Sequence, residues 1–538
     1  MSFQPELSAA HIAAVNRRRR IIVQYDAYDD GLGRDIKDWI EYRFNYADEP
    51  GSQIDSLWWD IGMGEIATGY PSKIFPRFEH PGLQKWWQQG IDWVQVCVDE
   101  SKKRNLEVFW NHRISEVIDM LPSPTEPRKV EQHPWKKAHP DWVIKSWWWP
   151  GLWNLTAPAV WDFKLQNLRE IAENYAFDGI QVDFSRHVPC LPPGHQWEHR
   201  DCVTEFLRRV RRMLLDTGKK CGRPILLSAK VPENLEGCRI DGFDVETWAR
   251  ENIVDMFTLG SRSIDVDLEV FRKITRGRNI KLYPCFDDHH ATDAYRYPPI
   301  EFFRGVFANW WQQGADGVET FNWSNAVPEL EMKIAGRSPG PLSQRQAYHE
   351  IGAPETMKFK DKIFAIQRRW GYPWAEGYFN QNSLAPLPLW LAHDGRPAEL
   401  TMRIADDVAE AVRRHTFKEA HLRLVLFNSL PDDNLAVKFN GRQLAVLDSD
   451  ATWKEPHIFS PKEQPASGGE YPVDPQQKLL MLRFNLAPEL LRLGANQISI
   501  GVAQRGAYPW QGENQIKVEK VEVHLHYSDL KQGKMNQA

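Results

Sequence analysis

The chain has 538 residues, more than one ordinary domain of roughly 100–200 residues holds, although a (β/α)8 barrel takes ~250 or more as one unit. Hydrophobic residues at 42% and charged residues at 26% give a globular composition and argue against disorder. Sixty-seven Lys and Arg against seventy-two Asp and Glu leave −5, so no basic field favours nucleic acid or an anionic membrane as partner. No run approaches the ~18 consecutive apolar residues of a membrane span.

From the N-terminus, MSFQPELSAAHIAAVNRRRR lacks the apolar core of a secretory leader. The expected location is cytoplasmic, or periplasmic or secreted with a leader already removed. Short apolar runs of strand length then appear at 21–28, 56–62, 107–114, 179–186, 225–232, 254–261, 280–287 and 317–323. Between most of them lie helically spaced apolar residues: Leu83, Trp87, Ile91, Val94 and Val98; Trp161, Leu165, Leu168, Ala172 and Tyr175; Val203, Phe206, Val210 and Leu214; Phe303, Val306 and Trp310. Eight strand–helix repeats over roughly 330 residues predict a closed (β/α)8 barrel in residues 1–370, N-terminal extension included. A dinucleotide-binding fold is excluded, because the first strand runs into Asp-Ala-Tyr-Asp-Asp-Gly and not G-x-G-x-x-G.

Residues 371–397, rich in Pro, Gly and Asn, read as a linker. Beyond it, period-2 strands at 398–404, 421–427, 435–439, 478–484, 496–502 and 518–527 predict an antiparallel, jelly-roll-like β-sandwich over 398–538. The proline-rich stretch 455–477 reads as a long surface loop.

In a parallel barrel the active site lies where the strands end, because the βα loops converge there. Those ends carry Asp26; Asp60; Asn111, His112 and Arg113; Asp183, Arg186 and His187; Lys230 and Glu233; Arg262; Asp287 and Asp288; and Glu319, Asn322 and Trp323. Asp183 stands out. In Gly-Ile-Gln-Val-Asp-Phe-Ser-Arg, Ile180, Val182 and Phe184 share one face of the strand while Gln181 and Asp183 share the other, which turns the carboxylate into the barrel. Asp178 and Asp316, each in an Asp-Gly step entering a strand, read as turn residues. Asp255 starts the sixth strand at the end away from the chemistry, and Glu246 and Glu251 read as solvated helix residues.

Two carboxyl groups facing across a cleft suit glycoside hydrolysis: one protonates the departing oxygen, the other attacks the anomeric carbon or activates water. Glu233, in a Pro-Glu-Asn segment past the fifth strand, is the first choice as partner of Asp183, with Glu319, Asp287, Asp288 and Asp60 as alternatives. Twenty-four Trp also suit sugar-ring stacking as well as core packing. A metal-dependent hydrolase or isomerase would draw on His112, Asp183, His187, His289 and His290, but no H-x-H or H-E-x-x-H pair anchors it, and six scattered cysteines show no C-x-x-C spacing. No metal and no cofactor are therefore expected, and nothing sets an oligomeric state.

The segment YAFDGIQVDFSRH (175–187), followed by LLSAK (226–230), DVETWARENIVDMF (244–257) and GADGVETFNW (314–323), resembles the glycosyl-hydrolase-like family ten barrels over roughly residues 20–345. The resemblance implies a retaining or inverting glycosidase related in layout to the α-amylase group. In that layout Asp183 is the nucleophile, Glu233 the acid/base, and Asp287 or Asp288 the stabiliser of the transition state. Gln181 departs from the pattern, which has Arg two residues before the fourth-strand Asp. The expectation is a glycoside hydrolase acting on an oligo- or polysaccharide, acidic or sulfated sugars included. Asp26, Asp60, Asn111, His112, Arg186, His187, Lys230, Arg262, Asn322 and Trp323 are the candidate substrate-binding residues. A non-catalytic glycan-binding barrel is the alternative.

Overall fold

The computed structural model describes residues 3–26, 32–61, 68–78, 80–115, 134–148, 150–287, 294–295, 298–321, 323, 343–369, 382–455, 457–458, 474–506 and 515–528. Two compact units emerge: Met1–Asp287 with Gly314–Asn325 and Trp374–Gln381, and Asp288–Gln313 with Ala326–Pro373 and Asn382–Ala538.

The first unit contains a closed barrel of eight parallel strands. These are β1 (Ile21–Asp26), β2 (Ile54–Asp60), β3 (Glu107–Arg113), β4 (Gly179–Asp183), β5 (Leu226–Val231), β6 (Met256–Leu259), β7 (Lys281–Asp287) and β8 (Val318–Phe321). Each pairs in parallel with its sequence neighbours, and β8 closes on β1. All eight expected strands are present; seven are one to four residues shorter than the apolar runs that announced them, and β2 keeps its length but starts two residues earlier. The segment carrying Leu83 to Val98 forms two helices, α1 (Pro81–Gln88) and α2 (Trp93–Lys103). Gly90, at φ +73°, separates them, and the Asp92 carboxylate caps α2 through the amides of Val94 and Gln95.

The foot of the barrel repeats one device on every second strand. Asp178, entering β4, donates its own amide to the Val108 carbonyl and accepts the Val108 amide on its carboxylate. Asp255 exchanges the same two bonds with Leu227, and Asp316 with Leu282. On β2, Asp55 accepts the amide of Arg20. Each carboxylate also meets a cation: Arg20 at Asp55, Lys102 at Asp178, Arg211 at Asp255 and Arg272 at Asp316. A side chain that closes a ring with one residue of the preceding strand fixes their register, and a slip of one residue would turn every inward side chain outward. Above this foot an apolar layer of Val15, Ile22, Trp58, Phe109, Leu226, Met256 and Tyr283 fills the interior, with Trp58 stacked on Phe109 at 4.5 Å.

The second unit carries antiparallel sheets. Strands β9 (Lys362–Ala365), β10 (Ala398–Ile404), β11 (Phe417–Phe427), β12 (Asn434–Phe439), β13 (Val446–Asp450), β14 (Leu479–Asn485), β15 (Gly494–Gln504) and β16 (Lys517–Tyr527) divide between a sheet ordered β9-β16-β11-β14-β13 and one containing β10-β15-β12. One core holds Leu400 and Ile498 from the smaller sheet with Leu424 and Val523 from the larger. Such a shared core is what alternating strands produce when each sheet has one apolar face.

Asp255 is the most heavily engaged foot residue, held by Arg211 at 2.6 Å, His11 at 2.8 Å and the Leu227 amide, all buried. Burial alone would raise its pKa, but Arg211 and His11 outweigh that and hold it well below the ordinary carboxylate range. Because the folded value lies below the unfolded one of about 3.9, this contribution is complete above about pH 4 and is lost as pH falls toward the folded value. Arg211→Met, which strands the buried charge, is expected to cost about 3–5 kcal/mol in urea unfolding at pH 7.

Candidate active site

The middle of the barrel is polar. Gln181 on β4 donates to Gln24 on β1 at 3.2 Å and to Asn111 on β3 at 2.8 Å, and accepts from Ser228 on β5 and Thr258 on β6. Asn111 donates on to Asp60 at 3.2 Å. Lys230 reaches Glu319 at 2.7 Å, Gln24 at 2.8 Å and the Cys285 sulfur at 3.2 Å. Side chains from all eight strands thus form one network. Lys230, Glu319, Asn111 and Gln181 are each 0% exposed and, joined by these bonds, make up a polar floor. Burial works against the charge on Lys230, yet Cys285, Glu319 and Asp183 around it leave its pKa above the ordinary lysine value. Burial also lifts Glu319 above the usual carboxylate value, against the pull of Lys230.

Gln181 faces inward, so Asp183, two residues on, does the same. It is 0% exposed. Its Oδ1 accepts the loop amides of Ser185 at 2.8 Å and Arg186 at 3.1 Å, while Oδ2 has no hydrogen-bond partner among the described residues. One oxygen is therefore pinned by backbone and the other is presented in the barrel. Glu233 lies just beyond β5, 2% exposed, with Oε1 accepting from Asn234 Nδ2 at 3.1 Å. Gly260, past β6 at φ +67°, abuts it: a Cβ there would stand 3.0 Å from Glu233 Cβ. Asp287 ends β7, 1% exposed, with Arg262 Nε 3.5 Å from its Oδ2. Asp60 is held by Arg113 at 2.7 Å.

The ring of Phe321, not among the residues expected from sequence, gathers three cations, one from the floor and two above it. Lys230 Nζ lies 4.4 Å, Arg186 5.5 Å and Arg113 5.9 Å from its centroid. Its position was readable, since Phe321 shares the inward face with Glu319 two residues earlier. His187 sits at φ +58° with Nδ1 3.1 Å from the Ser115 carbonyl and its ring 6.1 Å from Trp147. Burial first, then Arg186, Arg113 and Arg262, push its pKa well below the ordinary histidine value. The imidazole is neutral, and a carbonyl at Nδ1 puts the proton there, leaving Nε2 as an acceptor.

Other candidates stand elsewhere. His112 alternates with Asn111 and Arg113 and so occupies the outer face of β3, where burial and Lys164 on the helix Pro158–Asn174 lower its pKa. Trp323 is buried with its indole donating to the Phe286 carbonyl. Glu251, read as solvated, is 8% exposed and held by Arg208. The Asp26 side chain, Asp288, Asn322, His289 and His290 lie outside the described residues. Among the described residues no group of three or more His, Cys, Asp or Glu is placed to hold a metal ion.

Residues 25–194 match the model of the family described as Glycosyl hydrolase-like 10. The matched segment runs from the end of β1 past β4 and contains Asp183. Solved structures with similarity include α-L-fucosidase isoenzyme 2 from Paenibacillus thiaminolyticus, 14% identical with a TM-score of 0.39 over 62% of this chain and 48% of that one. A cycloisomaltooligosaccharide glucanotransferase from Paenibacillus sp. is 10% identical, TM-score 0.35, over 94% of this chain and 57% of that one. The α-amylase from Geobacillus thermoleovorans is 12% identical, TM-score 0.36, over 90% and 98%. The chain thus spans about half the length of the first two. No curated protein matches it at a significant level. The family match supports a carbohydrate-active barrel.

If Lys230 and Glu319 form the floor, removing one charge strands the other. Lys230→Met is expected to lower stability by about 3–5 kcal/mol, and Lys230→Met with Glu319→Gln to regain most of that loss. Denaturant unfolding of both variants checks this; equal stabilities of the single variant and the parent would remove the floor role.

Proposed function

We propose, from a barrel whose first half matches a glycosyl-hydrolase-like family, that this chain is a glycoside hydrolase working on an oligo- or polysaccharide. Asp183 acts as nucleophile or base and Glu233 as proton donor, with Asp287 as the third carboxylate. The observation that carries the reading is the state of Asp183: buried at the inward face of β4, tethered through Oδ1 to two loop amides, with Oδ2 lacking a hydrogen-bond partner among the described residues. A carboxylate kept in that condition for stability alone would carry a desolvation cost with one oxygen lacking a hydrogen bond in return. A carboxylate that attacks an anomeric carbon, or takes a proton from water, needs one fixed oxygen and one available oxygen.

The surrounding groups suit the same chemistry. Glu233, across the β5–β6 corner, supplies a second carboxyl able to protonate a leaving oxygen. Arg113 and Arg262 are held against Asp60 and Asp287 and keep their guanidinium planes fixed for hydroxyl or carboxylate groups of a sugar. Trp147, which donates its indole N–H to the Val188 carbonyl at 2.8 Å, adds an aromatic face beside His187.

Screening the purified protein against a panel of plant, algal and microbial glycans should identify a cleaved substrate. On it, Asp183→Asn and Glu233→Gln are each expected to lower kcat by two orders of magnitude or more while leaving Tm nearly unchanged. Wild-type rates in both variants would remove the assignment. Binding of the same glycans without cleavage by the parent protein would favour a glycan-binding barrel instead.

A further inference from the structure

The residue after Glu233 is tied to two structures at once. Asn234 is the N-cap of the helix Leu235–Asp241, and its Oδ1 accepts the Gly237 amide at 2.7 Å. A cap needs an oxygen, so the helix decides which way the Asn234 amide is turned. Its Nδ2 is thereby aimed the other way, and it donates to Glu233 Oε1 at 3.1 Å. Asn234 is 8% exposed, so both bonds are made away from bulk water. The second Glu233 oxygen lies on the side of Gly260, where a Cβ would stand 3.5 Å from Oε2 and 3.0 Å from Glu233 Cβ. Gly260, at φ +67°, brings no side chain of its own against that oxygen.

We propose that Asn234 is a positioning residue for Glu233: its helix-locked amide reserves Oε1 as an acceptor and so assigns the transferable proton to Oε2, on the Gly260 side. An Oε1–H would meet the Nδ2–H head on, whereas an Oε2–H leaves the Asn234 bond intact. The inference rests on the reading of Glu233 as proton donor. In that step the proton passes from Oε2 to the glycosidic oxygen, the anomeric C–O bond breaks with its electron pair going to that oxygen, an electron pair from Asp183 or from the water it deprotonates bonds to the anomeric carbon, and Glu233 is left as a carboxylate. The same amide then stabilises the negative charge at Oε1, so one side chain orients the acid before the step and stabilises its conjugate base after it.

Two substitutions separate this role from the helix cap. Asn234→Asp and Asn234→Ser both keep a capping oxygen, and both remove the N–H donor at Oε1. In the full chain labelled with 13C at the glutamate carboxyls, the Glu233 resonance is identified by its loss in Glu233→Gln. Its titration midpoint is expected to rise by about one unit or more in each variant, more for Asp, which adds a like charge. Once a substrate is known, the alkaline limb of kcat/KM should move up by the same amount, with kcat falling and KM nearly constant. Unmoved midpoints in folded variants would overturn the proposal. If Asn234→Asp fails to fold, Asn234→Ser decides. Full turnover in Glu233→Gln would instead remove the acid role of Glu233, while the titration would still report whether Asn234 holds it.

Discussion

The reciprocal bonds between the aspartates at the foot of the barrel and the preceding strands are the constraint on which the mouth depends. Asp178, Asp255 and Asp316 each close a ring with one residue of the neighbouring strand, and Asp55 makes the corresponding contact on β2. Backbone pairing alone is degenerate along a strand, since one residue pairs about as well as the next. A side chain locked to one partner is not. With register fixed at four of the eight strand junctions, the alternation along β4 is fixed too, and Gln181 and Asp183 must face the axis. The carboxylate at the top is inward because carboxylates at the bottom hold the strands in place.

Between these ends the interior changes character in steps. Apolar side chains close the foot, and a connected set of amides, hydroxyls and one ion pair fills the middle. Carboxylates and guanidiniums stand above them. Burying Lys230 beside Glu319 costs desolvation that an apolar filling would not incur. What that arrangement provides is a rigid polar floor whose cation lies close enough to act on Asp183. The three carboxylates at the ends of β4, β5 and β7 are held by different means: two loop amides for Asp183, a capping asparagine for Glu233 and an arginine for Asp287. Distinct environments are how groups of one chemical type come to take distinct protonation roles.

Much of this was legible in the sequence, for physical reasons. Apolar runs of strand length between helical spacings give the barrel, because a parallel strand buried on both faces has little polar surface to show. Period-2 alternation identifies the strands of the second unit and the inward face of β4. The same alternation holds at β3, where it separates His112 from Asn111 and Arg113; position at a strand end alone, without the face it occupies, does not put His112 at the mouth. Lys230 and Glu319 look like rim residues in sequence, since their pairing joins positions 89 apart and depends on closure of the barrel. Glu251 looks solvated because nothing local announces Arg208. The break between α1 and α2 hides in a continuous apolar pattern, interrupted only by Gly90 and the capping Asp92. The strand Val446–Asp450 escaped because its alternation is largely polar and exposed.

If Asp183 and Glu233 act as proposed, a bound sugar chain must lie with its scissile linkage between them. The most direct measurement is a crystal structure of Asp183→Asn soaked with an oligosaccharide that the parent protein cleaves. The account predicts an anomeric carbon facing position 183 and a glycosidic oxygen within hydrogen-bonding reach of Glu233 Oε2. A sugar chain seated in the mouth with its linkage away from both positions, or bound elsewhere on the protein, would contradict it.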